Sequence, residues 1–149
     1  MEARPAVTLP DAEYLPPRTL EGSTARGAQS REDVPHERHA SWLPAPGRPD
    51  PVATLQEQSA ERIPELVPLR YARMASSPFA FFRGGAAIMA ADLAGTPVSG
   101  LRAQLCGDAH LLNFGIFETP ERSLVFGLND FDETLPGPFE WDVKRLAAS

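Results

Sequence analysis

The chain has 149 residues and a net charge of −6, from 14 Lys and Arg against 20 Asp and Glu. That length holds one ordinary domain at most, and the acidic balance excludes a sequence-independent nucleic-acid binder, which needs clustered cations to displace phosphate counterions. A single cysteine, Cys106, excludes an internal disulfide framework. No stretch approaches the ~20 apolar residues of a membrane span, and the N-terminal residues lack the apolar core of a secretory signal. The expected setting is the cytoplasm, with neither nucleic acid nor membrane as partner.

Residues 1–33 mix Pro, Gly, Ser, Thr, Arg and Glu with few large apolar groups. Such a segment buries too little apolar surface to offset its chain entropy, which predicts disorder. Order is expected from residue 34 to residue 149. Residues 36–43 suit a short helix ending before Pro44. Asp50-Pro51 reads as an N-cap followed by proline at the first helical position, opening a helix over 51–62. Pro64 starts another over 64–74, with Val67, Tyr71 and Met74 on one stripe and Pro68 as the discordant residue. Phe79-Ala80-Phe81-Phe82-Arg83, between Pro78 and Gly84-Gly85, reads as a short buried strand, with a helix as the competing assignment. Residues 86–94 suit a helix stopped by Gly95 and Pro97.

Three short apolar runs follow, at 101–106, 113–117 and 124–128, the last two joined by a turn that predicts a hairpin. Residues 139–148 form an amphipathic pattern with no stop signal, which predicts a domain continued beyond this chain. The fold class expected is α+β.

Two polar clusters sit at the ends of apolar runs: Cys106-Gly107-Asp108-Ala109-His110-Leu111-Leu112-Asn113 and Asn129-Asp130-Phe131-Asp132-Glu133. Loops at strand ends are where a rigid sheet holds functional groups. Asp130 and Asp132 alternate with Phe131, so an extended chain turns both carboxylates one way. Carboxylates with an amide suit magnesium, which takes oxygen donors from protein, phosphate and water. Cys106 and His110 fall short of a structural zinc set. From spacing alone two readings stand: a metal-assisted site, or turn-capping aspartates around an interior histidine.

The first cluster resembles the H-G-D-x-H-x-x-N catalytic loop of aminoglycoside phosphotransferase and choline-kinase-like enzymes, and Leu128-Asn129-Asp130-Phe131-Asp132 resembles their metal-binding strand end. Gly137-Pro138-Phe139-Glu140-Trp141-Asp142-Val143 is similar to the D-P-x-W-D-L-A that follows. A wider likeness from about residue 34 to 149, including Leu66-Val67-Pro68-Leu69-Arg70-Tyr71 and the run Ser77 to Gly84, resembles the bacterial domain of unknown function 2252 family, whose members are several times longer.

The resemblance implies a partial protein-kinase-like fold with Mg2+ and ATP as cofactors and a small-molecule or protein acceptor. Asp108 would be catalytic, and Asn113, Asp130 and Asp132 would hold the metal. Asp142 would brace the catalytic loop through its backbone amides. Cys106 stands where the kinase-like motif has His. No lysine precedes Asp108, the only Lys being Lys144. Arg83 with Gly84 and Gly85 is the expected phosphate-binding substitute, since Arg and helix N-termini both favour phosphate; the alternative is an Arg paired with a core carboxylate beside a glycine turn. The rival functions are a non-catalytic nucleotide- or partner-binding module, including a pseudokinase, and an Asp-cluster metal-dependent hydrolase.

Overall fold

A computed structural model describes residues 19–149. Helix α1 runs Leu20–Asp33, where composition predicts disorder. Thr19 caps it by accepting the Gly22 N–H at 3.1 Å, and no proline interrupts the stretch. Ser30 is its one buried residue, so the helix adds little to the core. The remainder of the segment expected to be disordered lies outside the described residues.

After a single 3-10 turn at His36–His39, α2 spans Pro51–Ser59. Asp50 caps it through the Ala53 N–H at 2.8 Å, with proline in the first turn as the sequence predicts. A 3-10 turn at Pro64–Leu66 leads into α3, Val67–Met74. Pro68 is tolerated because it falls in the first turn of α3, where an N–H would have no intrahelical acceptor.

The strand expected at 79–83 is instead helix α4, Pro78–Gly84. Ser77 accepts the Ala80 N–H at 3.1 Å and Pro78 opens the first turn, so local capping decides between the two assignments. Gly84 allows α4 to press on α3: a Cβ there would lie 2.6 Å from Met74 Sδ. Helix α5, Ala86–Ala94, follows after Gly85.

Strands β1 (Arg102–Leu105), β2 (Phe114–Glu118), β3 (Leu124–Leu128) and β4 (Leu135–Pro138) precede the last helix, α6, Glu140–Ala148. They form two separate antiparallel pairs, β1 with β4 and the β2–β3 hairpin. β4 was not expected from the sequence because of its two prolines. They face Gln104 and Arg102 on β1, and among the described residues the pair has no third strand to demand a proline N–H.

The mixture of helices and small antiparallel sheets is an α+β architecture. Its buried apolar residues are few: Leu55, Met74, Leu93, Leu105, Cys106 and Ala109. Helix α3 packs on α4, α2 on α5, and α5 on α6. Among the described residues no helix is long and apolar enough to cross a membrane.

Candidate functional site

The two sheets bring the polar clusters together. β1 ends at Leu105, opposite Leu135 at the start of β4, so the loop leaving β1 lies beside the loop 129–134 that enters β4. The Cys106 thiol donates to the Asp130 carbonyl at 3.2 Å and ties the two loops. The hairpin does the rest. Phe114 pairs with Leu128, and the Asn129 N–H donates to the Asn113 carbonyl at 2.9 Å, setting Asn113 opposite Asn129, the residue before Asp130, just beyond the ladder.

Helix α6 holds the first loop. The Asp142 carboxylate accepts the backbone N–H groups of Cys106 at 2.7 Å and Gly107 at 3.2 Å. Gly107 has φ +89°, a left-handed conformation, and a Cβ there would run into the Glu133 carbonyl. One turn further on, Arg145 is 3% exposed and donates from Nε to Asp108 Oδ1 at 2.7 Å. The same guanidinium donates to the Phe82 carbonyl at 2.7 Å and lies 4.1 Å from the Phe82 ring centroid. Sequence reasoning missed Arg145. Its one signal was the three-residue spacing from Asp142, which puts both on one helix face.

Asp108, His110, Asn113 and Asp130 line a single cleft of about 740 Å³, together with Arg62, Arg70, Arg73, Arg83 and Gly84. That volume is in the range of sites for small molecules and cofactors. Gly85 and Asp132 are not part of its lining. Gly85 instead lines a second, largely apolar cavity of about 390 Å³ with Trp42, Phe81 and Ile88. Asp132 is exposed and donates its N–H to Asp130 Oδ1 at 3.1 Å. The Asn113 side-chain amide donates to the Asp108 carbonyl at 2.7 Å, fixing the loop between them.

Electrostatics divide the cleft. Burial pushes the Cys106 thiol up, and the neighbouring carboxylates of Asp142, Asp108 and Asp130 add to it, so the group is a protonated donor rather than a nucleophile. Burial also pushes His110 down; Arg83 and Arg145 reinforce the shift, and Asp108 opposes it. Its Nε2 lies 3.8 Å from Asp108 Oδ2, and its buried Nδ1 has no partner among the described residues. Arg70 is held below its ordinary value by burial and then by Arg62. Among the described residues, no group of three or more His, Cys, Asp or Glu is arranged to hold a metal ion.

The α+β fold thus carries a polar cleft at the junction of two strand-end loops, with four arginines and Glu61 on its helical side and Asp108 and Asp130 on its loop side. Residues 62–149 match the model of a family described as an uncharacterized protein conserved in bacteria, DUF2252, and the chain belongs to that family. Among curated proteins and among solved structures, none matches it.

Proposed function

We propose that the cleft is the site of a magnesium- and nucleotide-dependent phosphotransferase whose loops are kinase-like, in a partial aminoglycoside phosphotransferase-like fold. The observation that carries the reading is Asp142 gripping the Cys106 and Gly107 amides while Asp108, Asn113 and Asp130 line one cleft. The resemblance asks for that brace and that set of residues together.

The donor set suits magnesium better than a closed protein cage. Magnesium keeps water and substrate phosphates and needs only one or two protein carboxylates. Asn113 uses Nδ2 on the Asp108 carbonyl, which leaves its Oδ1 as an acceptor. Asp130 gives one oxygen to the Asp132 amide and keeps the other. Asn113 and Asp130 would therefore hold the ion, with Asp132 orienting Asp130, and a bound ion would neutralise charge on the nucleotide phosphates. Asp108 has Oδ1 fixed by Arg145 and Oδ2 available to orient an acceptor hydroxyl or amine. Phosphoryl transfer depends chiefly on positioning and charge stabilisation, which these groups supply. The acceptor is a small molecule or a protein side chain.

One observation favours a non-catalytic nucleotide-binding module instead. The buried Arg145 competes for the carboxylate that would take the acceptor's proton. Measuring ADP release from ATP and magnesium separates the two, with water standing in for the acceptor. Phosphotransfer predicts slow release that falls about a hundredfold in Asp108→Asn with ATP affinity retained. ATP binding with no release at all assigns the cleft to the binding module.

A further inference from the structure

We infer that Arg62, Arg70, Arg73 and Arg83 together form a polyphosphate-binding wall, which serves the role that a single lysine has in kinase-like enzymes. The inference deepens the phosphotransferase reading and rests on it for the identity of the anion as a nucleotide's phosphates.

Four arginines line one cleft in a chain whose net charge is −6. Arg62 follows α2, Arg70 and Arg73 lie on α3, and Arg83 lies on α4. Among the described residues, none of the four meets a carboxylate at ion-pair distance. Arg70 is fixed by donating to the Gly84 carbonyl at 2.9 Å and to Met74 Sδ at 3.1 Å, neither of which neutralises it. Arg62, Arg73 and Arg83 are exposed and make no side-chain hydrogen bond among the described residues.

Concentrated like charge opposes folding unless a counter-charge arrives. The lining carboxylates supply it only in part: Asp108 is already paired with Arg145, and Glu61 and Asp130 stand against four arginines. The missing counter-charge is therefore a ligand bearing several negative charges that fits the concave space. Planar guanidiniums match phosphate oxygens through paired N–H donors, and several around one cleft suit a chain of phosphates better than a single carboxylate. Arg83 is one member of this set; Arg62, Arg70 and Arg73 were beyond sequence reasoning, because α3 and α4 must pack before they meet.

The test is calorimetric titration with tripolyphosphate in the absence of metal, run beside MgATP. The variants are Arg73→Gln, Arg83→Gln and their double, with Arg73→Lys and Arg83→Lys as charge-keeping controls. Neither residue holds the fold together, and circular dichroism checks that each variant is folded. Tripolyphosphate should bind the unaltered chain, more weakly as salt is raised. Each Gln variant should bind about tenfold more weakly, the worth of one charge-assisted hydrogen bond, and the Lys variants should recover part of the loss. Unchanged affinity in the double Gln variant, or no tripolyphosphate binding at millimolar concentration, overturns the wall even if MgATP binds and turns over. Arginine-dependent tripolyphosphate binding without any gain from an adenosine group or magnesium upholds the wall and removes the nucleotide reading.

Discussion

Arg145 and Asp108 form a buried ion pair across 37 residues of chain, with Nε and Oδ1 2.7 Å apart. The pair fastens the loop after β1 to α6, and through the Phe82 carbonyl to α4. One guanidinium therefore sets the distance between the arginine side of the cleft and its carboxylate side.

Arg145→Met should be among the most damaging single changes. It leaves Asp108 charged, buried and unpaired, which costs about 3–5 kcal/mol. Urea unfolding should show the loss, and Arg145→Met with Asp108→Asn should lose less than the sum of the two single variants.

Asp142→Asn should loosen the same loop without emptying the core. The two N–H groups use different carboxylate oxygens, and asparagine replaces one of them with an NH2 donor, so about 1.5–3 kcal/mol should go. Amide hydrogen exchange at Cys106 and Gly107 should accelerate, with little change in the β2–β3 hairpin. Equal acceleration everywhere would mean that Asp142 supports the whole fold rather than the loop.

Much of this arrangement was visible in the sequence because it is local. Asp50 before Pro51, the hairpin turn at 119–122 and the two polar clusters each declare themselves within a few residues. The aromatic run 79–83 did not, since four apolar residues fit a strand or a helix equally. Its Ser77-Pro78 cap was the cue that decides. Helix α1 was hidden behind a disorder-like composition, although Thr19 and the proline-free stretch after it mark a start. The Asp142 brace was expected only through the family resemblance, whereas the Arg145–Asp108 pair, 37 positions apart, and the arginine wall, drawn from α3, α4 and the end of α2, are set by packing. Of the expected site, Asp108, Asn113, Asp130, Arg83 and Gly84 line the cleft, while Asp132 and Gly85 do not.

The buried histidine predicts a pH dependence. His110 has its folded pKa below the unfolded value of about 6.5, with burial as the main cause. The unfolded chain then binds the extra proton, so stability rises with pH. The contribution is complete above about pH 6.5 and is lost as pH falls from there toward the folded pKa. Denaturant midpoints from pH 7.5 to 5 should decline, and His110→Phe should flatten the decline. An unaltered slope in that variant would assign the effect to other groups.

Gly107→Ala should be severe for two reasons, the left-handed backbone and the Glu133 carbonyl where its Cβ must go. A loss of about 2 kcal/mol or more is expected in thermal or urea unfolding. The strain falls on the contact between the two loops, so ATP affinity should drop in variants that remain folded.

The central claim is that Asn113 and Asp130 hold magnesium against nucleotide phosphates in this cleft. Isothermal calorimetry of the chain with ATP, with and without magnesium, tests it directly. The account predicts that magnesium tightens ATP binding and that Asp130→Asn abolishes the gain while metal-free binding survives. ATP affinity that is indifferent to magnesium, or a magnesium gain that Asp130→Asn leaves untouched, would contradict it.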